Sequence, residues 1–146
     1  MSKQHKIILA SKAGPQGGGA SMVACQLEKL IRIDESYQVE HWTGENYPLD
    51  GRKSINSSLI NRFGFRIGRL LSRRVGLPDF LGSPMSGATS GVSGDLYHIH
   101  DISSVFSPYT LKMWAKKSPT IWTFHDCSPF TGGCIYPLGC VAYLTR

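Results

Sequence analysis

The opening of the chain restricts the fold more than any other part of it. His5 to Ser11 (HKIILAS) is a short, nearly continuous apolar run, the pattern of a parallel strand buried on both faces. Residues 12–19 follow as a loop containing Gly14-Pro15 and then Gly17-Gly18-Gly19. Ala20, Val23, Ala24, Leu27, Leu30 and Ile31 then recur at the i, i+3, i+4, i+7 spacing of one apolar helix face. Tyr37 to Trp42 (YQVEHW) alternates apolar and polar, as a strand does. Strand, glycine loop, helix and strand in that order make a βαβ unit, which joins parallel strands by a right-handed crossover. The expected fold class is α/β, a Rossmann-like open parallel sheet with helices on both faces.

The remainder continues the alternation. Residues 55–75 read as a helix with apolar positions Leu59, Ile60, Phe63, Ile67, Leu70 and Leu71, weakened by Gly64 and Gly68 at about 1 kcal/mol each. Residues 82–94 are glycine- and serine-rich without periodicity and read as a loop. A strand is expected over 95–100 (DLYHIH), a helix over 108–117, and a strand over 120–125 (TIWTFH), before an irregular tail over 126–146. No internal repeat is present. The 146 residues suffice for one domain with a real core.

The net charge of +6 is concentrated in one place. Residues 51–76 hold Arg52, Lys53, Arg62, Arg66, Arg69, Arg73 and Arg74 and no acid, leaving nine of the 16 bases against ten acids elsewhere. Arg62, Arg66, Arg69 and Arg73 fall at i, i+4, i+7, i+11, along one side of the expected helix. Near an anionic bilayer each contributes about 1 kcal/mol, enough for reversible docking. Nucleic acid could use the same charge, but no aromatic residues interleave on the basic side, so nucleic acid is not the expected partner. A plainly solvated helix face is the remaining alternative. The polar start MSKQHK leads into too short an apolar run for a secretory signal, and no run of about 20 apolar residues exists, so a cytoplasmic location is expected.

Three features carry chemistry. A glycine cluster between a first strand and a helix is where α/β proteins bind phosphate, because glycine admits close approach and the helix N-terminus favours an anion. The run Gly17-Gly18-Gly19 fits neither GxGxxG nor a Walker loop, so a nicotinamide site or a P-loop ATPase is not supported, and a flexible connector stays open. His98 and His100 share one strand face, with Asp101 following, and His125-Asp126 closes the last expected strand in the same way. Ligands of open parallel sheets bind beyond the carboxyl ends of the strands, which is where all three features converge. His125, Cys127, Cys134 and Cys140 could alternatively bind zinc, although no CxxC pair is present.

TIWTFHDCSPFTGGCIYPLGC resembles the block of bacterial GT-B glycosyltransferases of family 4 in which a strand ends in Thr-x-His-Asp and leads into Pro-Phe-Thr-Gly-Gly-Cys. The members nearest in character build exopolysaccharide and colanic-acid-like surface polymers. GDLYHIHD is similar to the preceding strand of that family, and QGGGASMVACQLEKLIR to its glycine loop and first helix. The matches run in family order over residues 7–140. Cys127 and Ser128 depart from the Met and Trp common there, and relatives tend to carry two further cysteines beyond the one matching Cys140. The resemblance implies an amino-terminal, acceptor-side lobe, with a second lobe holding the nucleotide-sugar donor through a paired-glutamate motif and a cationic phosphate clamp.

It further implies transfer of a hexose-like sugar with retention to a glycan or lipid-linked acceptor, without a cofactor or obligatory metal. On that basis His125 is the candidate catalytic residue. Gly17, Gly18, Gly19, His100, Asp101 and Asp126 are the candidate substrate- and diphosphate-binding set. Arg62, Arg66, Arg69 and Arg73 are the candidate membrane-facing set, which would make the enzyme peripheral on the inner face of the plasma membrane. The chain stops inside the cysteine-bearing segment, so residues 1–146 are expected to be most of one lobe, inactive or nearly so by itself. The alternative is a non-catalytic module docking on anionic membrane or polymer through the basic helix 55–75.

Overall fold

The computed structural model describes residues 4–44, 51–55, 59–76, 89–101, 106–131, 135–141 and 144. Its strands are β1 (His5–Ser11), β2 (Tyr37–Thr43), β3 (Lys53–Ser54), β4 (Leu96–Ile99) and β5 (Thr120–Trp122). They form one open, all-parallel sheet in the order β3-β2-β1-β4-β5. The helices are α1 (Gly19–Ile31), α2 (Leu59–Arg74), α3 (Pro108–Ala115) and the single turn α4 (Ser128–Thr131). The chain is therefore an α/β, Rossmann-like fold. Strand order reverses between β1 and β4, which pair from Ile7↔Leu96 to Ala10↔Ile99.

β1 is central, and its pleat divides its side chains between two layers. Ile8 and Ala10 enter the larger core with Ile55, Phe65, Val92, Tyr97, Ile99, Phe106 and Trp114. Ile7 and Leu9 face α1 and pack with Val39, Leu27, Ile31 and Leu96. Cover on both faces is why HKIILAS is apolar almost throughout rather than alternating. Trp114 anchors α3. It is fully buried, stacked on Tyr97 at 4.8 Å, and its indole N–H donates to the Thr89 carbonyl at 3.1 Å. α3 starts at a capping box in which Ser107 and Thr110 bond reciprocally, with Pro108 in its first turn.

Four details differ from the sequence-based expectations. β3 is a two-residue strand and Ile55 a core residue, so the second helix starts at Leu59 rather than at residue 55. The strand expected over 120–125 ends at Trp122, and the tail contains the turn α4. α1 turns Ser21, Ala24, Cys25 and Glu28 inward, while Val23 and Leu30 are exposed. α2 buries Phe65, Gly68 and Ser72, and its Leu59, Ile60, Phe63, Leu70 and Leu71 are exposed. Most of the loop expected over 82–94 lies outside the described residues. Among the described residues, no helix is long and apolar enough to cross a membrane.

Candidate functional site

The crevice at the strand reversal lies beyond the carboxyl ends of β1 and β4. On the β1 side stands the glycine loop, whose shape follows from its residues. A Cβ on Gly17 would lie 2.3 Å from the Ala13 Cβ and 2.8 Å from Ser21 Oγ, so only glycine lets the loop pack on the first turn of α1. Gly18 holds φ at +97°, in the left-handed region, and caps α1 without a side chain. No side-chain cap therefore covers the first-turn amides of α1, and the helix has no acid in that turn. Amides in this state, at the positive end of the helix dipole, suit an anion.

The β4 side carries imidazoles. The amide of His100 donates to the Ala10 carbonyl at 2.9 Å, which sets His100 beside the end of β1. His98 and His100 lie on one face, with ring centroids 4.3 Å apart. His98 Nε2 bonds Thr123 Oγ1 at 2.8 Å, and His100 Nδ1 meets His125 Nε2 at 3.1 Å. His100 is 3% exposed, and its Nε2 is a buried nitrogen with no hydrogen-bond partner. Burial, with the neighbouring His98, His125 and His41 charges, lowers the His100 pKa from 6.5 to about 4. Burial and the His125 charge also lower that of His98. His100 is thus a neutral imidazole at pH 7, with one nitrogen bonded to exposed His125 and the other buried without a hydrogen-bond partner.

The structure brings the predicted residues together unequally. Gly17, Gly18 and Gly19 form the loop and helix start, and His100 and His125 form a hydrogen-bonded pair. Asp126 is engaged locally, its Oδ1 accepting from the Ser128 amide at 2.7 Å and the Ser128 hydroxyl at 2.6 Å, which starts α4. Asp101 follows β4 and is half-buried. Arg62, Arg66, Arg69 and Arg73 all lie exposed along α2, on a different element from the crevice. Of the zinc alternative, Cys134 lies outside the described residues, Cys127 is half-buried and Cys140 is exposed.

One buried constellation has no counterpart in the sequence reading. Glu28, on α1, is 3% exposed and accepts from four donors. His41 Nδ1 is 2.8 Å from its Oε2, Arg52 Nε donates to the same oxygen at 2.9 Å, and the Arg32 Nε and terminal nitrogen donate to Oε1 at 3.2 and 2.9 Å. Burial acts to raise the Glu28 pKa, but the hydrogen bonds from His41 and Arg32 and the charges of His41 and Arg52 outweigh it and hold the carboxyl at about 2. On its other side His41 Nε2 meets Ser11 Oγ at 2.7 Å, and that hydroxyl donates to the Ala13 carbonyl at 2.8 Å. The relay thus runs from the α1 interior to the base of the glycine loop, where the Ala13 amide also donates to Ser21 Oγ at 3.3 Å.

A serine, histidine and carboxylate in sequence suggest a hydrolase triad, but the directions are wrong. Ser11 is fully buried and gives its hydrogen to the Ala13 carbonyl, whereas a nucleophile must be reachable by substrate and give its proton to histidine. Cys25 Sγ, a Glu28 oxygen and a His41 nitrogen lie within 4.8 Å of one another, a spacing that could hold a metal. The same space contains the Arg52 guanidinium, and both nitrogens of His41 and both oxygens of Glu28 are already bonded. The donor set fits an ion-paired clamp that fixes α1, β2 and the glycine loop, not a metal centre. One signal for it was present in the sequence: His41 has the strand parity of buried Val39 and Thr43, so its side chain had to point toward α1.

No protein-family model, curated protein or solved structure matches the chain.

Proposed function

We propose that the chain is the acceptor-side lobe of a retaining glycosyltransferase of the GT-B type, transferring a sugar from a nucleotide-sugar donor in surface polysaccharide synthesis. The observation that supports this reading is the placement of a glycine-lined helix start without a side-chain cap and of the His100–His125 pair at the carboxyl ends of the neighbouring strands β1 and β4. Departure of a nucleoside diphosphate requires donors aimed at developing negative charge. The amides at the start of α1 are such donors, and Gly17 and Gly18 keep side chains out of their way. His125, exposed at the crevice edge and hydrogen-bonded to neutral His100, is suited to contact the transferred sugar and the acceptor hydroxyl. Asp126 orients the segment after β5 through its Oδ1 bonds to Ser128. A second lobe would complete the cleft and bring the donor. On this reading the acceptor is a glycan or a lipid-linked saccharide, met at the inner face of the plasma membrane.

Titration of the isotopically labelled chain with UDP, GDP and inorganic pyrophosphate, followed by amide and imidazole NMR, tests this reading. The expected result is concentration-dependent shifts of the Gly17 to Ser21 amides and of the His100 and His125 rings, absent when phosphate-free nucleoside replaces UDP. Shifts confined to the arginines of α2, or none at millimolar ligand, would overturn it.

A further inference from the structure

α2 presents three different faces. Phe65, Gly68 and Ser72, spaced i, i+3, i+7, are buried and seat the helix, with Phe65 entering the larger core. Arg62, Arg66, Arg69 and Arg73 form an exposed ridge beside that seam. The third face is apolar and points outward: Leu59 is 79% exposed, Ile60 81%, Phe63 67%, Leu70 55% and Leu71 41%. At roughly 100° per residue these five occupy about a third of the circumference, directly beside the arginine ridge. A soluble helix ordinarily turns its apolar stripe to the core, and contiguous exposed apolar patches of this kind mark interaction surfaces.

The chemistry of the two outward faces selects the partner. Residues 51–76 carry seven bases and no acid, so the occupant must supply dispersed negative charge as well as an apolar layer. Nucleic acid meets the arginines but not the exposed Leu, Ile and Phe stripe. A second copy packed antiparallel across a two-fold axis would set one arginine ridge beside the other. A bilayer containing anionic lipid supplies both, with headgroup phosphates for the ridge and the acyl boundary for the stripe.

We propose that α2 is an interfacial helix that docks the domain on anionic membrane, with Leu59, Ile60, Phe63, Leu70 and Leu71 entering the headgroup–acyl boundary and the arginines lying against lipid phosphates. This goes beyond the transferase reading and does not depend on it. The structure adds insertion to the electrostatic attraction that the arginine spacing already suggested.

Co-sedimentation with vesicles tests the proposal, using phosphatidylcholine alone and equal parts phosphatidylcholine and phosphatidylglycerol. The chain is expected to bind the mixed vesicles and not the neutral ones. Arg66→Gln with Arg73→Gln should weaken binding about 25-fold, at about fivefold per arginine. Phe63→Ser with Leu70→Ser should abolish binding at physiological salt while leaving the thermal midpoint unchanged, because both side chains are exposed. Equal binding to neutral vesicles, or undiminished binding by the Phe63/Leu70 variant, would overturn it. So would light scattering that shows a dimer which those serines dissociate, or RNA binding that displaces the vesicles.

Discussion

Replacing Glu28 by Gln removes the charge at the centre of the buried clamp while keeping its size. The folded protein holds this carboxyl at about 2 against an ordinary 4.5. At about 1.4 kcal/mol per tenfold, that depression is worth about 3 kcal/mol of stability at neutral pH. Removing one member of a buried ion pair typically costs about 3–5 kcal/mol, which agrees, because the Arg52 side chain is only 5% exposed and loses the charge it pairs with on Glu28. For a chain of this length the variant should melt about 6–12 °C lower. The sign of the pH dependence is fixed. A depressed carboxyl stabilises fully above its unfolded pKa and loses that contribution as pH falls through the folded value. The gap between wild type and variant should be full at pH 5 and above, narrow from pH 4.5 downward, and close near pH 2. Urea unfolding of both proteins at a series of pH values measures it. A gap below about 1 kcal/mol at pH 7, or one that persists unchanged at pH 2, would mean that the Glu28 charge does not stabilise the fold.

The other expectations concern the histidine pair, the glycine loop and the core. His100 stays neutral in the folded chain down to about pH 4, while the unfolded chain takes up its proton near 6.5, so stability falls as pH drops through that window. His100→Gln should flatten that slope in urea unfolding, and a direct NMR titration should give the ring a midpoint near pH 4. Gly17→Ala forces a Cβ into Ala13 and Ser21 and should cost about 1–3 kcal/mol, with the amide shifts of residues 17–21 displaced even without ligand. Trp114→Ala deletes a fully buried ring and the Thr89 hydrogen bond, and should cost about 3–5 kcal/mol by denaturant unfolding.

The sheet was legible because its signals are local and redundant. Ile7 to Ala10, buried on both faces of the sheet, form a continuous apolar run, and the glycine cluster after it marks a strand-to-helix turn whatever it binds. α3 was expected over residues 108–117, and the structure shows what starts it, the Ser107–Thr110 capping box with Pro108 in the first turn. β3 was illegible because two residues carry no periodicity, and its strand character comes only from pairing with Trp42 and Thr43. The faces of the helices were read less well. Hydrophobic spacing locates a stripe but not what the stripe meets, and in α2 it meets no core. In α1 the stripe is rotated toward Glu28, because His41, Arg32 and Arg52 repay the burial of its charge. The i,i+4 spacing of Glu28 and Arg32 and the strand parity of His41 hint at that clamp, but its closure by Arg52 depends on tertiary packing that spacing does not display. His100 and His125 could be assigned to one sheet edge from the strand order, but their contact depends on the stagger of β4 against β5.

On the proposed function, the crevice between β1 and β4 holds the diphosphate of a nucleotide-sugar. A crystal structure of the chain grown with a nucleoside diphosphate tests it most directly. Diphosphate oxygens should lie within hydrogen-bond distance of the amides that begin α1, over Gly17 and Gly18, with His125 facing the terminal phosphate. A diphosphate bound against the arginines of α2, with an empty glycine loop, would contradict it.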